Sequence, residues 1–454
     1  MRMQVKDIVK ACNGQLLCGD PETVIMSVEI DSRQVKKGAL FVPIHGQKIN
    51  AHIYIEQTLQ QGAVATLTQE HNMMNDMNHC WIRVGDTKDA LQKIAAAYRN
   101  CFSVPVIGIT GSVGKTSTRE MVSLALSAER NVMQTRGNAN SQIGLPLTMF
   151  QFTEEHTAAV IEMGISEFGE MDRLVKVAHP GYAIVTNIGI AHIEQMKTRE
   201  NIMSEKLKIA EGFGDSSVLF LNGDDEMLAS LYHTTKLPVV YYGTQPWCTY
   251  RAEAIHTHGM KTMFTLCTPS YTAKVLLPVL GIHNVLNALA AIAVADVMKL
   301  SLEKVVDRLK EYRPPFMRQR IYESHGITVV DDSYNASPDS IKSGIDVLCS
   351  LPNEGKKIAV LADMLELGDF SDQAHFKAGV SVAKVKIDVL ITVGLRSVRI
   401  AEGAVSVKPD MEILMCTNNE QAIDCLKETI RRGDAVMIKG SRSMRTDEIV
   451  KAFL

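Results

Sequence analysis

The sequence of 454 residues lacks the long apolar stretches that would place a chain in a membrane. No apolar run approaches the roughly 18 residues that a membrane helix needs, and Lys6, Asp7 and Lys10 interrupt the apolar positions near the start. We therefore expect neither a signal peptide nor a membrane anchor. The net charge of −3, with 22% charged and 46% hydrophobic residues, shows no bias toward polyanions. Nucleic acid and anionic membrane surfaces are not expected as partners.

The sequence also lacks a cysteine framework, internal repeats and low-complexity segments. Nine cysteines are scattered between Cys12 and Cys425, and none forms a C-x-x-C pair. An odd number of unpatterned cysteines indicates buried or incidental thiols in a reducing compartment, and it makes a zinc site improbable. A cytoplasmic monomer is the default expectation.

What the chain contains is a repeated alternation of strand and helix patterns. Its length predicts two to four domains. Residues 1–85 show short helix and strand signals, and Pro105 opens a longer α/β pattern that closes with the helix HNVLNALAAIAVADVM. The adjacent prolines of YRPPFMR indicate a linker. Five apolar strands alternate with helices after it, which predicts a doubly wound parallel sheet over about 316–454.

The stretch GITGSVGKTS has the composition of a phosphate-binding loop. The strict pattern G-x-x-x-x-G-K-[ST] requires glycine five residues before Gly114, where Ile109 stands. Because Ile109 still belongs to the apolar strand VIGIT, the turn need begin only at Gly111. Lys115 could then reach the β- and γ-phosphates and the Thr116 hydroxyl could ligate Mg2+. An ordinary strand-to-helix turn is the alternative.

Two titratable residues follow predicted strands of the same α/β segment. Glu162 ends the strand AAVIE, and His192 follows the strand YAIVTNIG. The carboxyl ends of parallel strands are where α/β sheets bind ligands. A helix-capping glutamate and a hydrogen-bonded core histidine are the alternatives that the pattern leaves open.

A lysine stands on the apolar face of the predicted helix over 199–213. Ile202, Lys206, Ile209 and Phe213 share one face, whereas Lys208 points away. One explanation is a side chain that extends its ammonium group to water. The other is a partly buried amine with a lowered pKa that can be chemically modified.

Six motifs occur in the order and spacing found in the Mur ligases, and the chain is similar to that family over its whole length. The motifs are TGSVGKTS, IEMG, NIGIAH, GIHNVLNALAA, VVDDSYNASPDS and RGDAVMIKGSR. The segments DDSYNASP and KGSR are most similar to members that act on UDP-N-acetylmuramoyl-tripeptide. The resemblance implies three domains: an N-terminal UDP-substrate domain (1–85), a central ATP-binding domain with a mainly parallel sheet (86–313) and a C-terminal Rossmann-like domain (314–454).

The resemblance also implies a role for particular residues. Lys115, Glu162, His192 and Lys206 would be catalytic. The ATP-binding residues would be Thr110, Gly111, Ser112, Gly114, Lys115, Thr116, Ser117, Asn284, Asn287, Arg318 and Asp332. The Mg2+ site would comprise Thr116, Glu162, His192 and Lys206, with Lys206 carbamylated. The substrate-binding residues would be Ser32, Arg33, Asn138, Asn140, Tyr334 and Asn335.

The implied reaction is ATP-dependent amide formation between D-alanyl-D-alanine and a tripeptide whose third residue is diaminopimelate or lysine. The free carboxylate would first become an acyl phosphate, which the amine then attacks. A sister Mur-type or folylpolyglutamate-type ligase with a different amine acceptor is one alternative. A nucleotide-binding protein of this fold without turnover is another alternative. A complete set of implied catalytic and metal-binding residues argues against it: Lys115, Thr116, Glu162, His192 and Lys206.

Overall fold

The protein is organised around three sheets in sequence order. The computed structural model describes residues 1–46 and 48–454. Each sheet is built from one continuous part of the chain, and helices pack on its faces. The predicted α/β class with mainly parallel sheets is confirmed. In the described part of the chain, no helix is long and apolar enough to cross a membrane.

The N-terminal sheet has five strands in the order β2-β7-β6-β5-β4, and only the β2–β7 pair is antiparallel. A separate antiparallel pair joins β1 and β3. The strands are β1 Met3–Gln4, β2 Gln15–Cys18, β3 Val24–Ile25, β4 Ser27–Glu29, β5 Ala39–Phe41, β6 Ala63–Thr68 and β7 Cys80–Arg83. The helices are α1 Val5–Cys12, α2 Ile55–Gln60 and α3 Thr87–Arg99. Helix α3 contacts both α1 and the central helices.

The central sheet has nine strands in the order β16-β15-β14-β13-β12-β11-β8-β10-β9. Its strands are β8 Val106–Thr110, β9 Val132–Gln134, β10 Ala158–Glu162, β11 Tyr182–Val185, β12 Val218–Asn222, β13 Val239–Gly243, β14 Tyr250–His258, β15 Lys261–Cys267 and β16 Thr272–Leu277. The strands from β9 to β14 run parallel, and β15 and β16 add an antiparallel edge.

Eight helices accompany the central sheet. They are α4 Lys115–Leu126, α5 Gly144–Met149, α6 Glu170–Ala178, α7 Ile193–Met196, α8 Arg199–Leu207, α9 Glu226–Ala229, α10 Ile282–Val297 and α11 Leu302–Leu309. Helix α10 is apolar nearly all round because it is enclosed, packing on α4 and on strands β12 to β14. The helix predicted over 199–213 is shorter than expected, since α8 ends at Leu207 and a 3-10 turn, Lys208–Ala210, follows.

The C-terminal sheet has six strands in the order β17-β18-β22-β19-β20-β21, parallel except for the β17–β18 hairpin. The strands are β17 Arg320–Ser324, β18 Ile327–Asp331, β19 Lys357–Ala362, β20 Val389–Val393, β21 Glu412–Cys416 and β22 Ala435–Lys439. The helices are α12 Pro338–Ser350, α13 Ser371–Ala383, α14 Val398–Val407, α15 Asn419–Thr429 and α16 Asp447–Lys451.

Both faces of the C-terminal sheet are covered by helices. In β19, Ile358 and Val360 pack in one apolar cluster with residues of α15 and α16. Ala359 and Leu361 pack in another with residues of α12 and α13. Successive side chains of a strand point to opposite faces, so the continuous apolar runs of these strands follow from double coverage. The predicted doubly wound arrangement is confirmed, whereas the three domain boundaries stay a prediction.

Candidate active site

A deep cleft lies between the central and C-terminal sheets. On the central side it is lined from the loops that follow β8, β10 and β11, where parallel strands end. On the C-terminal side it is lined from the loops that follow β18 and β19. Ligands of α/β proteins bind at the carboxyl ends of strands, so this cleft is the expected position for chemistry.

The loop after β8 has the geometry of a phosphate-binding loop. Strand β8 includes Ile109 and ends at Thr110, so the turn begins at Gly111 as the sequence predicts. Gly111 and Gly114 have φ of +148° and +84°, conformations that favour glycine. Helix α4 begins at Lys115, and the first N–H groups of a helix lack intrahelical acceptors. The helix dipole and these amides favour an anion at this end.

The Lys115 side chain folds back over its own loop. Its Nζ donates to the carbonyl oxygens of Gly111 at 2.7 Å and Ser112 at 3.3 Å. Burial lowers the pKa of Lys115, and the nearby Glu162 carboxylate opposes that shift. The amine is therefore held at the mouth of the loop, where a phosphate would meet it.

Asn187 holds the loop in shape, and sequence reasoning missed it. Its backbone oxygen accepts from the Ser112 N–H at 3.1 Å, and its side-chain oxygen accepts from the Val113 N–H at 2.9 Å. The Thr186 hydroxyl donates to the Val113 carbonyl at 2.6 Å. Asn187 is the first residue of the motif NIGIAH, and Thr186 directly precedes it. The sequence therefore shows the motif but not its contact with the phosphate loop.

Glu162 is buried, with 2% of its surface exposed, and it is surrounded by donors. Its Oε1 accepts from the Thr116 hydroxyl at 3.3 Å and from Asn140 Nδ2 at 2.7 Å. Its Oε2 accepts from Arg119 Nη1 at 3.1 Å. Glu162 therefore does not cap a helix. Sequence reasoning missed Arg119, whose position one turn after Lys115 gives no sign that it reaches β10.

The ligand atoms of Thr116, Glu162 and His192 are of the types that bind a hard divalent cation. Thr116 Oγ1 and Glu162 Oε1 approach each other as two ligands of one ion would, and His192 lines the same cleft. Mg2+ prefers oxygen ligands in octahedral geometry and usually retains several waters. A hydroxyl, a carboxylate and one imidazole therefore fit Mg2+ better than a soft metal.

His192 faces the C-terminal domain. It immediately precedes helix α7 with a φ of +61°, and its Nδ1 lies 2.9 Å from Glu366 Oε2. Glu366 itself has a φ of +62°, which is uncommon for a residue with a side chain. The hydrogen bond from His192 lowers the pKa of Glu366. Sequence reasoning missed Glu366, because 174 positions separate it from its partner in the chain.

Lys206 is enclosed on the buried side of α8. Only 3% of its surface is exposed, and it does not line the cleft. An ammonium group extended to water is therefore excluded. Burial lowers the pKa of Lys206 far below its usual range, and the positive charge of Lys115 lowers it further. The adjacent Lys208 is instead paired with Asp172 at 2.9 Å and Glu205 at 3.0 Å.

Asn284 and Asn287 lie in the first turns of α10 and line the cleft. Asn287 Oδ1 accepts from the Thr118 hydroxyl at 2.9 Å, which ties α10 to α4. Asn284 Nδ2 donates to the Leu280 carbonyl at 2.8 Å. Both amides retain further hydrogen-bonding groups, as recognition of a purine edge requires.

Residues from the C-terminal side reach the phosphate loop. The Arg318 guanidinium stacks on the Tyr334 ring at 3.8 Å, and its Nη2 lies 3.5 Å from the Thr116 hydroxyl. Asp332 Oδ2 accepts from Lys439 Nζ at 2.6 Å, and both residues are buried. Lys439 was overlooked as a site residue, although it belongs to the quoted segment KGSR.

The predicted substrate-binding residues fall into two groups. Asn140, Tyr334 and Asn335 line the cleft together with most of the predicted ATP-binding residues. Ser32 and Arg33 lie in the N-terminal domain, outside the cleft, where Arg33 pairs with Asp31 at 2.7 Å. Asn138 is exposed and does not line the cleft. Thr110 and Gly111 shape the loop without lining the cleft.

Three family models match successive parts of the chain. Residues 24–99 match the Mur ligase family, catalytic domain. Residues 109–295 match the Mur ligase middle domain, and residues 317–442 match the Mur ligase, glutamate ligase domain.

The chain is also similar to whole proteins and to solved structures. It is 36% identical to UDP-N-acetylmuramoyl-tripeptide--D-alanyl-D-alanine ligase of Bacillus subtilis (strain 168), over 99% of this chain and 98% of that protein. Its fold is similar to MurF from Acinetobacter baumannii, with a TM-score of 0.92, 27% identity, and coverage of 100% and 99%. The MurF ligase from Thermotoga maritima in complex with ADP has a TM-score of 0.84, 26% identity, and coverage of 94% and 96%.

Proposed function

The chain belongs to the Mur ligase family, and from that premise we propose that it joins D-alanyl-D-alanine to UDP-N-acetylmuramoyl-tripeptide at the expense of ATP. The products are UDP-N-acetylmuramoyl-pentapeptide, ADP and phosphate, in peptidoglycan precursor synthesis. The Bacillus subtilis relative that bears this name matches the chain almost from end to end.

One observation in the cleft carries the proposal. Lys115 and Thr116 of the phosphate loop share the cleft with Glu162 and with Arg318 from the other domain. A phosphate loop alone would fit a switch or an ATPase. Its combination with a carboxylate, a histidine and a second domain that closes over it fits phosphoryl transfer to a bound acceptor.

The first chemical step activates the peptide carboxylate. A carboxylate oxygen attacks the γ-phosphorus of ATP, the bond to the β-phosphate oxygen breaks, and ADP leaves with that electron pair. Negative charge gathers on the transferring group, where Lys115 and the amino end of α4 stabilise it. Arg318 approaches the same end of α4 and adds a positive charge there.

The second step forms the amide. The ammonium group of D-alanyl-D-alanine first loses a proton to solvent. The neutral amine then attacks the acyl carbon, and a tetrahedral intermediate forms. Phosphate leaves with the electrons of the carbon–oxygen bond and takes the second proton that the nitrogen loses as the amide forms. An acyl phosphate hydrolyses in water, so the cleft must exclude solvent until the amine attacks this intermediate. Contacts between the two domains, such as His192 with Glu366, lie at this cleft.

We also propose a metal site within the same cleft. Thr116, Glu162 and His192 would hold Mg2+, with Lys206 as a carbamate supporting it from the buried side. When bound, Mg2+ neutralises phosphate charge and orients the γ-phosphate. A buried lysine with a lowered pKa presents the neutral amine that carbon dioxide modifies, which supports the assignment of Lys206.

The remaining roles follow from the same proposal. Ser32 and Arg33 would bind the UDP end of the substrate, and Asn138, Asn140, Tyr334 and Asn335 its peptide. Asn284, Asn287 and Asp332 would bind the nucleoside of ATP. The substrates are small molecules, and we propose a cytoplasmic monomer with no nucleic-acid or membrane partner.

Phosphate release and product mass test the function directly. Purified protein is incubated with ATP, Mg2+ and UDP-N-acetylmuramoyl-tripeptide, with D-alanyl-D-alanine, D-glutamate, L-glutamate or no acceptor. We expect phosphate and a product heavier by the dipeptide less water only when D-alanyl-D-alanine is present. Turnover with a single amino acid and none with the dipeptide would identify a sister ligase. Nucleotide binding without turnover for any acceptor would identify a binding protein.

A further inference from the structure

A carboxylate of the C-terminal domain reaches across the cleft to the central domain. Asp339 stands at the second position of α12, just after the DSYNASP loop, and it lines the cleft. A Cβ built on Gly189 would overlap the Asp339 carboxylate and would lie 3.3 Å from Ser112 Cβ. The carboxylate therefore lies beside the phosphate loop, at the end of β11, between the two domains.

The Asp339 carboxylate has no hydrogen-bond or ion-pair partner within residues 1–46 and 48–454. The guanidinium of Arg199 is close enough to influence it, but it donates to the Ile188 carbonyl at 3.1 and 2.8 Å and to Glu226. Lys342 also contributes positive charge, and Asp225 contributes negative charge. The Asp339 side chain remains exposed to solvent within the cleft, and partial desolvation by the surrounding residues raises its pKa.

An unpaired carboxylate beside a phosphate loop is stabilised by a cation that binds next to it. When ATP phosphates occupy the loop, two anions approach each other, and a cation held between them relieves the repulsion. The proposed Mg2+ ligands are on Thr116, Glu162 and His192, and the positive charge of Lys115 points back at its own loop. None of these groups contacts Asp339 in the described part of the chain.

The proposed reaction brings a cation of its own. An α-amino group has an ordinary pKa near 7.7–8.0, so an amino acceptor arrives largely as an ammonium ion. Its nitrogen must approach the acyl carbon next to the phosphate loop. A carboxylate that enters from the C-terminal domain can hold that ammonium close to the loop while the domains are closed.

We propose that Asp339 is the recognition residue for the ammonium group of the incoming amino acceptor. The assignment rests on the proposed ligase function. The ion pair selects a free amine over blocked or uncharged analogues of the dipeptide. It also places the nitrogen on the side of the cleft where the acyl phosphate forms, and the ammonium loses a proton to solvent before the neutral nitrogen attacks.

Two nucleophiles of different charge test the assignment. D-Alanyl-D-alanine carries the ammonium, whereas hydroxylamine is uncharged near neutral pH and captures acyl phosphates as hydroxamates. In Asp339→Asn we expect the KM for D-alanyl-D-alanine to rise about 10- to 100-fold, as for a lost charged hydrogen bond. Hydroxamate formation from ATP and UDP-N-acetylmuramoyl-tripeptide should stay within about twofold of the native rate.

Matched variants and ligands sharpen the comparison. Asp410→Asn removes an exposed carboxylate of the same domain away from the cleft and should leave both reactions unchanged. N-Propionyl-D-alanine, which is the dipeptide without its amine, should inhibit the native protein and Asp339→Asn equally. Thermal unfolding of Asp410→Asn should match that of the native protein. That of Asp339→Asn should change only slightly, because the variant loses no hydrogen bond but loses a negative charge in the first turn of α12.

Three results would overturn the proposal. One is an unchanged KM for D-alanyl-D-alanine in Asp339→Asn. Another is an equal loss of hydroxamate formation, because a general defect in acyl-phosphate formation would then explain the variant. The third is weaker Mn2+ binding, measured by electron paramagnetic resonance, with unchanged dipeptide KM, which would make Asp339 a metal ligand. Failure of the ligase function is distinct, since the native protein would then form neither hydroxamate nor amide.

Discussion

At the scale of single residues, Lys206 shows how burial decides chemistry. A lysine on an apolar helix face commonly extends its ammonium to water. Lys206 is enclosed, and the adjacent Lys115 adds a second positive charge that disfavours its protonation. Its neutral form is a nucleophile toward carbon dioxide: the carbon–nitrogen bond forms and a proton leaves. The resulting anion suits a position near Mg2+.

We expect carbon-13 carbon dioxide to label Lys206 as a carbamate. A carbonyl signal should appear in the NMR spectrum of the native protein and disappear in Lys206→Ala. Lys208→Ala is the matched control and should retain the signal, because Asp172 and Glu205 raise the pKa of Lys208 and keep it charged. Lys206→Ala should also lose ligation and recover part of it with short carboxylates. A signal that survives in Lys206→Ala would refute the assignment.

Lys115 gives a second prediction at this scale. Lys115→Ala should lower kcat at least about 100-fold, the loss typical when a group that stabilises developing charge is removed. Within residues 1–46 and 48–454 its side chain donates only to its own loop, so the unfolding temperature should change little. Steady-state kinetics and calorimetry measure the two quantities. The exposed Lys304→Ala serves as control, and turnover of Lys115→Ala at the native rate would contradict the mechanism.

At the scale of elements, the ends of neighbouring strands bring distant residues together. Asp332 follows β18 and Lys439 ends β22, and the two strands are hydrogen-bonded in parallel. Lys439 Nζ also donates to the Asn335 carbonyl at 2.9 Å, so one amine holds both ends of the DSYN turn. The position of Tyr334 and Arg318 against the proposed nucleotide site therefore depends on a buried ion pair.

Removing one member of that pair should be costly. Lys439→Met leaves the Asp332 carboxylate buried and unpaired, so we expect the unfolding free energy of the C-terminal domain to fall by about 3–5 kcal/mol. The double variant Asp332→Asn with Lys439→Met should lose clearly less unfolding free energy than Lys439→Met alone. Hydrogen exchange of the β18 and β22 amides, followed by mass spectrometry, reports this domain separately. Equal destabilisation by the single and double variants would show that the charge pair is not the cause.

At the scale of the whole molecule, several contacts join the C-terminal and central domains across the cleft. Among them are Arg318 with Thr116, Glu366 with His192, and Asp339 beside Gly189. The first two combine a charged group of the C-terminal domain with a proposed metal-binding residue of the central domain. We therefore expect domain closure to complete the proposed site, which is a common means of excluding water before a reactive intermediate forms.

Side chains of increasing size at Gly189 should separate an effect on the Asp339 carboxylate from an effect on the approach of the two domains. Alanine would mainly displace the flexible Asp339 carboxylate, with a smaller shift at Ser112 Cβ, which lies 3.3 Å from the added Cβ, so we expect a raised KM for D-alanyl-D-alanine. Leucine should hold the domains apart and lower kcat about 100-fold for dipeptide and hydroxylamine alike. Small-angle scattering should then give a larger radius of gyration. Gly181→Leu is the control, since nothing lies within 4 Å of a Cβ there. Unchanged kinetics in Gly189→Leu would refute the closure model.

Much of the fold could be predicted because its signals are local. Apolar runs such as VIGIT report a buried strand, and Gly114-Lys115-Thr116 reports the turn and helix that follow it. The end of α8 at Leu207 was missed. Periodicity identifies a helical face but gives little information about where the last turn tightens.

The sequence by itself determined the elements, the phosphate loop and the order of its motifs, since each depends on neighbours within a few residues. Only the tertiary structure decided which side chains meet. Thr116 and Arg318 are 202 positions apart, and no local pattern encodes their contact. Arg119 and Glu366 lie in the proposed site only because packing places them beside partners that are distant in the sequence. The burial of Lys206 likewise depends on packing. Proximity and desolvation arise from the folded chain, and these set the chemistry of the cleft.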